Sequence, residues 1–217
     1  MSNQYFENNV NLESNEIIIP YYFRGQKFNF ITDNGVFSKK EVDFGSSLLL
    51  QTVTLDDGDR VLDVGCGYGV IGLVIAKVKP QSLVDMIDIN ERAIRLSCKN
   101  KTLNKIENVE IFVSNIYQNI VKKYDVIVSN PPIRAGKKIV HEIASKSFEF
   151  LNEDGTSKQA DLEGGWYEFE KDYFGSVFFE GKTIPCISLK GQKVFHSGYE
   201  LRDKDKHDIS ILESLSK

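Results

Sequence analysis

The chain has 217 residues, 41% of them hydrophobic and 27% charged, and a formal net charge of −4. This length and apolar fraction predict a globular protein with one large domain, or with a domain and an appendage. Three dispersed cysteines, without a C-x-x-C or Cys/His cluster, argue against a disulfide framework or a zinc site, so we expect no metal and a reducing cytosol. No apolar run approaches the roughly 20 residues that span a bilayer, and the polar start lacks a signal-peptide core. We therefore expect a soluble, cytoplasmic protein with no membrane partner.

The predicted elements begin with a hairpin and continue as an alternating pattern. Two β-rich runs, Ile17–Phe23 and Phe28–Thr32, flank a polar turn, and a helical stretch follows near Gly45–Val53. From there, buried strands are predicted at Arg60–Val64, Leu83–Asp88, Val109–Val113 and Tyr124–Ser129, and helices at Val70–Lys79, Glu91–Leu103 and Lys137–Leu151. This alternation predicts βαβ units, and hence a Rossmann-like α/β fold with a mostly parallel sheet.

After Leu151 the sequence changes in character. Asn152–Gly155 is typical of a turn-like break, and the following residues are rich in aromatic side chains and glycine. Short strands are predicted at Gly175–Glu180 and Thr183–Ser188, with a polar helix near Asp205–Leu215. We expect residues 152–217 to form a small α+β appendage.

A glycine-rich loop, VLDVGCGYGVIG from Val61 to Gly72, joins the first predicted strand of the alternating part to its helix. Glycines here permit positive φ and let the backbone approach a ligand. The loop also contains G-x-G-x-x-G, which is found in dinucleotide-binding proteins, although that pattern alone is weak. A glycine turn that serves only helix packing is the alternative without a ligand.

Two acidic residues favour S-adenosylmethionine (SAM) over a nicotinamide dinucleotide in this loop. Asp88 ends the second strand, where it could accept hydrogen bonds from both hydroxyls of a ribose, which either cofactor has. Asp63 precedes the glycines, where an anion suits the cationic amino group of SAM better than a pyrophosphate. Cys66 lies between the glycines, and we interpret it as a small packed residue because no histidine is near it in sequence to activate it.

Asn130, Pro131 and Pro132 end the fourth strand with a segment that continues neither a strand nor a helix. If the Asn130 side-chain oxygen and the Pro131 carbonyl each accept an N–H of an exocyclic amine, the lone pair of that nitrogen can turn toward a methyl donor. Such acceptors stabilise charge that develops only during transfer. Asn-Pro is also a common turn opener, so a purely structural turn is the alternative.

Four segments together resemble class I SAM-dependent methyltransferases of the ribosomal RNA small-subunit methyltransferase C type. They are FITDNGVFSKKEVDFGSSLLL, VLDVGCGYGVIGL, DINERAI and VSNPPIRAGKKIVHEI. The resemblance implies a methyltransferase domain over residues 1–151, with an N-terminal hairpin at 15–35 and a Rossmann-like core at 45–151. It further implies methylation of guanine N2 in 16S rRNA, with rRNA or a ribosomal subunit as the partner and SAM as the cofactor.

The resemblance also assigns site residues. Asn130, Pro131 and Pro132 are the expected catalytic residues. Ser46 is expected to help close the loop over the cofactor. The expected cofactor-binding residues are Phe37, Ser38, Asp43, Gly45, Asp63, Gly65, Cys66, Gly67, Gly69, Asp88, Ile89, Asn115 and Asn130. The expected substrate-binding residues are Ile133, Arg134 and Lys137, with no metal ligands.

This sequence departs from the family pattern at two site positions. Ile133 stands where relatives often place an aromatic residue that stacks on the base, so it offers apolar contact without a π-face. Asn115 stands where an acid commonly contacts the adenine amine, and its amide oxygen can accept the same bond.

Residues 151–217 instead resemble the carboxyl-terminal half of small lincosamide nucleotidyltransferases. The segments that carry this likeness include LNEDGTSKQADLEGGWYEFEKDYF and FHSGYELRDKDKHDI. The active site implied by that family needs a Gly-Gly turn and paired aspartates for Mg²⁺ in its amino-terminal half, which this chain lacks. The chain thus reads as a gene fusion near Leu151, with two alternatives to an active methyltransferase: a lincosamide/aminoglycoside-type nucleotidyltransferase remnant, or a catalytically silent fusion. If the methyltransferase sheet lacks its last strands, an edge is exposed unless the tail covers it.

Overall fold

The computed structural model describes residues 12–131 and 137–160 and three further strands between residues 166 and 187. The elements are β1 (Ile17–Phe23), β2 (Gln26–Thr32), α1 (Phe44–Thr52), β3 (Arg60–Val64), α2 (Val70–Val78), β4 (Leu83–Asp88), α3 (Glu91–Leu103), β5 (Val109–Val113), β6 (Tyr124–Ser129), α4 (Lys137–Phe150), β7 (Leu151–Ala160), β8 (Trp166–Phe169), β9 (Phe174–Phe179) and β10 (Lys182–Ile187). The predicted helix near Asp205–Leu215 lies outside the described residues.

A six-stranded sheet in the order β5-β4-β3-β6-β7-β8 forms the centre of the fold. Strands β3 to β7 pair in parallel, which confirms the predicted Rossmann-like α/β class. After β3 the chain builds the sheet outward through β4 and β5, and then returns to place β6 on the other side of β3. Ligands of such sheets bind beyond the carboxyl ends of the strands, where the strand order reverses.

Alternate residues of β3 pack into two different cores, because successive side chains of a strand point to opposite faces. Val61 belongs to a cluster with α2, α3 and the N-terminal hairpin. Leu62 belongs to a second cluster that includes Tyr117 and Ile143. Burial on both faces explains why these strands read as continuous apolar runs.

The predicted turn-like break at Asn152–Gly155 is wrong. These residues lie inside β7, which pairs with β6 through two partner positions, Tyr124 with Leu151 and Val126 with Thr156. Between these two positions the chain moves two residues along β6 but five along β7. The extra residues of β7 therefore form an irregularity within the strand. The side chain of Asn152 donates to Asp125 Oδ1 at 2.6 Å, which ties this irregularity to β6.

The first residues of the predicted appendage therefore extend the central six-stranded sheet. The chain forms two compact units, Met1–Glu168 and Phe169–Lys217. The first contains β7, and the second contains the antiparallel pair β9 and β10. Strands β7 and β8 follow β6 in the sheet order, so β6 is not an edge strand. The boundary at residue 151, which rests on resemblance, stays a prediction.

The N-terminal hairpin of β1 and β2 is fastened to α3 by two asparagines. Asn104 accepts from the backbone N–H of Asn29 at 3.0 Å and donates to its carbonyl at 2.8 Å. Asn100 makes the same pair of bonds with Ile31, at 2.6 and 2.9 Å. These side chains satisfy the β2 backbone as a neighbouring strand would. Within the described part of the chain, no helix combines the length and the apolar character needed to cross a membrane.

Candidate functional site

A cleft of about 180 Å³ lies at the carboxyl ends of β3, β4, β5 and β6. Each of these strands is followed by residues that line it, as is expected for a sheet of this topology. A further wall comes from the segment between β2 and α1. The lining residues are Val36, Phe37, Asp43, Ser46, Val64, Gly65, Cys66, Gly67, Tyr68, Val70, Ile71, Ile87, Asp88, Ile89, Asn90, Ala93, Ser114, Asn115, Ile116, Asn130, Ile139 and Ile143.

The cleft brings together most of the predicted site residues. Those that line it are Phe37, Asp43, Ser46, Gly65, Cys66, Gly67, Asp88, Ile89, Asn115 and Asn130. Ser38, Gly45, Asp63 and Gly69 are close in sequence to lining residues but are not among them. Pro131 is buried directly after Asn130. Pro132, Ile133 and Arg134 lie outside the described residues, as does the side chain of Lys137, the first residue of α4.

The backbone N–H groups of the glycine loop are bonded to acceptors of the protein itself. Gly65 and Cys66 both donate to the carbonyl of Ile87, at 2.8 and 2.9 Å. Gly67 donates to Asp88 Oδ2 at 2.9 Å. A loop that cradles a pyrophosphate instead directs such groups at the anion. These bonds favour SAM over a dinucleotide in this cleft.

Gly72, the last glycine of the G-x-G-x-x-G pattern, has a packing role. A Cβ at this position would lie 2.6 Å from Met86 Cγ, so only glycine lets α2 approach β4 this closely. The pattern that suggested a dinucleotide is therefore explained in part by contact between helix and sheet. Gly65 and Gly67 differ, because both have positive φ (76° and 57°) and open space around the Cβ position.

Asp88 is oriented by backbone donors, the N–H groups of Asn90, Gly67 and Ile89. Its Oδ1 accepts from the N–H of Asn90 at 2.8 Å, and its Oδ2 accepts from Gly67. Burial raises the pKa of Asp88, although these hydrogen bonds act in the opposite direction. The carboxyl group lines the cleft, where it can accept a hydrogen bond from a ribose.

Asp63 is fully buried under the glycine loop. Its Oδ2 accepts from the N–H of Gly72 at 2.9 Å, while Oδ1 has no hydrogen-bond partner among the described residues. Burial raises the pKa of Asp63 to about 7. A buried, unsatisfied carboxyl oxygen is costly unless a donor or a cation completes it. The cationic amino group of SAM is such a partner, so the residues present fit this cofactor.

Cys66 is buried in the cleft wall. Burial raises the pKa of its thiol well above the ordinary value, and the charges of Asp88 and Asp63 act in the same direction. The thiol is therefore held in its protonated form, in which it is a poor nucleophile. Its environment agrees with the interpretation of Cys66 as a packed residue.

Asn130 is held by residues from the start of α1. Its side-chain Nδ2 donates to Asp43 Oδ2 at 3.0 Å and to Ser46 Oγ at 2.9 Å. Asp43 is also the N-cap of α1, where its Oδ2 accepts from the N–H of Ser46 and its Oδ1 accepts from the Ser46 hydroxyl. The carboxylate can only accept, so it determines which end of the Asn130 amide faces it.

The contact between Asp43 and Asn130 is not predictable from sequence, although the role of Asp43 as a helix N-cap is. An aspartate three residues before a serine is typical of a helix N-cap, and this pattern marks the start of α1. Nothing in the pattern links this cap to a residue 87 positions later. The apolar side chains of Ile116, Ile139 and Ile143, which line the cleft, were also missed, because at helical or strand spacing they read as core residues.

Comparisons with known proteins agree with this geometry. The family model of the methyltransferase small domain matches residues 27–158. The family model of aminoglycoside-2''-adenylyltransferase matches residues 128–212, which fits the predicted resemblance of the tail and overlaps the first match.

Two curated relatives differ in how much of their length is matched. YbxB of Bacillus subtilis (strain 168), whose function is uncharacterised, is 44% identical over 158 residues, covering 71% of this chain and 79% of that protein. Ribosomal RNA small subunit methyltransferase C of Serratia proteamaculans (strain 568) is 44% identical over 102 residues, covering 47% of this chain but only 29% of that enzyme. This chain thus spans under a third of that relative.

Among solved structures, a T. thermophilus 16S rRNA N2 guanine methyltransferase in complex with AdoMet and guanosine has a TM-score of 0.63. It is 20% identical, and the match covers 78% of this chain and 49% of the other. A tRNA methyltransferase of M. jannaschii has a TM-score of 0.50 at 22% identity, covering 65% of this chain and 42% of that one. At these identities the likeness establishes the fold.

Proposed function

The chain belongs to the methyltransferase small domain family, and from this premise we propose that it methylates an exocyclic amine of small-subunit rRNA, at guanine N2. Membership confirms the sequence-based assignment to the SAM-dependent methyltransferases, with SAM as the cofactor. The substrate, the residues that act on it and the activity of this fused chain are parts of the proposal. A ribosomal substrate would place the protein in the cytoplasm.

The orientation of the Asn130 amide carries the proposal. Both of its N–H groups are taken by Asp43 and Ser46, so its carbonyl oxygen is the end left to accept a hydrogen bond in the cleft. Among the described residues, no donor bonds to that oxygen. An acceptor in this place suits a nucleophile that carries N–H, as an exocyclic amine does.

SAM would be held by Asp88 at its ribose and by Asp63 at its amino group, and it supplies an electrophilic methyl group on a sulfonium. Gly65 and Gly67 shape the loop around it with positive φ. Ile89 and Asn115 line the same cleft and are the proposed contacts of the adenine.

Asn130 acts on the amine of the substrate. Its Oδ1 and the Pro131 carbonyl accept one N–H each, which lets the nitrogen lone pair turn out of conjugation with the base. Positive charge develops on nitrogen as the new bond forms, and both acceptors stabilise that charge more than they stabilise the ground state. The nitrogen then loses a proton to water, so no general base is needed.

The rRNA substrate is supported by relatives that are named as ribosomal RNA small subunit methyltransferases. Because the matched enzymes are about three times longer than the shared segment, the substrate comes to this chain as a proposal. Substrate contacts proposed for Ile133, Arg134 and Lys137 follow from the position of these residues directly after the prolines. Two cations there suit the phosphates of a base drawn out of its stack.

The test is transfer of labelled methyl from SAM to isolated small ribosomal subunits. We expect wild-type protein to label the rRNA and Asn130→Ala to lose at least about 100-fold in rate, by analogy with removal of one transition-state hydrogen-bonding group. Titration calorimetry should show that both proteins bind SAM. Asp57→Asn, a change at an exposed residue that pairs with Lys79, is the matched control and should keep full activity.

Titration of the protein with Mg-ATP in the same calorimeter tests the nucleotidyltransferase alternative. Heat with Mg-ATP and none with SAM would overturn the proposal in favour of that alternative. If the protein bound SAM but transferred no methyl group to any ribosomal particle, the result would support the alternative of a catalytically silent fusion.

A further inference from the structure

We infer that Asp43 and Ser46 are positioning residues that hold the Asn130 amide with its carbonyl oxygen toward the substrate atom that takes the methyl group. They thereby select a substrate atom that donates a hydrogen bond. This inference rests on the proposed function. It gives Asp43 a role other than the cofactor contact that the sequence resemblance implies.

The first step of the argument is the network itself. Asp43 Oδ2 receives an N–H from Asn130 at 3.0 Å and the backbone N–H of Ser46 at 3.0 Å. Asp43 Oδ1 receives the Ser46 hydroxyl at 2.7 Å. Since the Ser46 hydroxyl hydrogen is directed to Asp43, its oxygen is free to accept the second N–H of Asn130, at 2.9 Å. Every donor in the cluster has an acceptor.

The second step is the cost of the other orientation. An asparagine side chain can turn over by exchanging its oxygen and nitrogen. A turned Asn130 would place its oxygen against the carboxylate of Asp43, where no hydrogen lies between them. It would lose a charge-assisted hydrogen bond, which is stronger than a neutral one. The network therefore keeps the oxygen on the opposite side.

The third step concerns space. A Cβ at Gly45 would lie 3.1 Å from Asp43 Oδ2 and 3.2 Å from Asn130 Oδ1. Gly45 lies in sequence between the two positioning residues, and because it has no side chain it leaves room for the Asn130 amide beside Asp43. Gly45 does not line the cleft, so its predicted place in the site follows from this contact rather than from a contact with cofactor.

The consequence is a selection by hydrogen-bond polarity. A carbonyl oxygen can only accept, so it binds an amine that still carries hydrogen. The turned amide would offer N–H groups, which suit an acceptor atom such as a ring nitrogen or a carbonyl. Asp43 and Ser46 act on the reaction through Asn130 and need not touch the substrate.

Asp43→Asn is the central experiment, because asparagine caps a helix as well as aspartate does. In the wild type the N–H groups of Ser46 and Asn130 share Oδ2 of Asp43. The oxygen of the new side chain in that place can keep both bonds but without the negative charge, so it holds the Asn130 amide less strongly in its orientation. We expect SAM affinity and melting temperature to stay near wild-type values and kcat on ribosomal subunits to fall by up to about tenfold, because a neutral hydrogen bond holds the amide more weakly than a charge-assisted one. Ser46→Ala keeps the cap carboxylate and should lower kcat less.

Exchange of the two residue types provides a rescue. Asn130→Asp alone places two carboxylates together, so its activity should fall and should fall further as the pH rises. In the double variant Asp43→Asn/Asn130→Asp, the NH₂ introduced at position 43 can donate to the new carboxylate at the cost of the bond from the Ser46 N–H, and the other carboxylate oxygen accepts from the amine. We expect the double variant to be more active than Asn130→Asp and more active than the product of the two single effects, which independent effects would not produce.

A second readout does not depend on catalysis. The side-chain NH₂ of Asn130 should give a pair of ¹⁵N–¹H signals that Asn130→Asp removes, that Asp43→Asn shifts and that Asp57→Asn leaves in place. If wild-type protein transfers no methyl group, the proposed function fails, and these signals still decide the orientation. The inference is overturned if Asp43→Asn leaves both kcat and the Asn130 signals unchanged, or if the double variant is no better than the product of the single effects.

Discussion

Asp63 is a carboxyl group that the fold buries completely and that, among the residues the structure describes, has a hydrogen-bond partner on one oxygen only. Burial raises its pKa to about 7 from a reference value of 3.8, and a single N–H, from Gly72, opposes the shift. Because the folded state favours the protonated form, unfolding between these two values releases a proton. The contribution of Asp63 to stability is therefore present at low pH and is lost as the pH rises through this window.

Asp63→Asn measures this contribution. Asparagine can still accept from Gly72 but has no charge to lose. We expect the free energy of unfolding of the wild type, relative to the variant, to decrease by up to about 1.4 kcal/mol per pH unit between pH 5 and pH 7. Denaturant unfolding at pH 5, 6, 7 and 8 provides the measurement. A constant difference over that range would contradict the raised pKa.

The same residue connects pH to cofactor affinity. If the amino group of SAM pairs with Asp63, bound SAM favours the ionised form, and affinity should rise from pH 5 to pH 7 in the wild type. The variant should lack that dependence. If SAM affinity depended on pH in the same way in both proteins, Asp63 would not pair with the amino group of SAM, and its role would be the hydrogen bond to Gly72 alone.

At the scale of elements, the N-terminal hairpin reaches the cleft through its attachment to α3. Asn100 has no exposed surface, and besides Ile31 it donates to the carbonyl of Tyr68, a cleft residue, at 2.8 Å. Asn90, at the start of the same helix, donates to the carbonyl of Gly35 at 3.0 Å. The segment between β2 and α1, which carries Phe37 and Asp43, is therefore positioned by α3.

Asn100→Ala should loosen that attachment. It removes the Asn100 partner of the partly buried backbone groups of Ile31 and of the buried carbonyl of Tyr68. A buried group left unsatisfied costs about 1–3 kcal/mol. We expect lower stability, faster hydrogen exchange at the Ile31 amide and weaker SAM binding. Asn119→Ala, which removes an exposed bond to the carbonyl of Val113, is the control. Unchanged exchange at Ile31 would show that the hairpin is held by apolar packing alone.

At the scale of the whole molecule, the predicted fusion point falls within the continuous six-stranded sheet. Strand β7 begins at Leu151 and pairs along β6 as far as Ser129 with Gln159. A central parallel strand is buried on both sides and needs a hydrogen-bonding neighbour at each edge. The residues after 150 therefore supply what the methyltransferase sheet would otherwise lack.

Truncation separates this sheet from the rest of the tail. A chain of residues 1–168 keeps the first compact unit, whereas residues 1–150 lack β7 and β8. We expect the thermal midpoint of 1–168 to stay near that of the full chain and that of 1–150 to fall, with increased aggregation through the exposed edge. Circular dichroism and light scattering on the three chains provide the comparison. A stable, monomeric 1–150 would show that β7 is dispensable.

The strands and helices from Arg60 to Ser129 were predictable almost to the residue, because local apolar periodicity determines them. The cofactor loop was predictable because its glycines directly follow Asp63 in sequence and Asp88 ends the next predicted strand. The strand at Asn152–Gly155 was not, because its polar and glycine residues favour a turn unless β6 offers hydrogen bonds to pair them.

The sequence by itself thus determined the fold class, the cofactor and the candidate catalytic asparagine, all of which depend on neighbours along the chain. Only the tertiary structure decided which end of that asparagine faces the cleft and what covers the edge of the sheet. Both depend on partners far apart in sequence, Asp43 with Asn130 and β6 with β7, and contacts of that kind leave no periodic trace in the residues that make them.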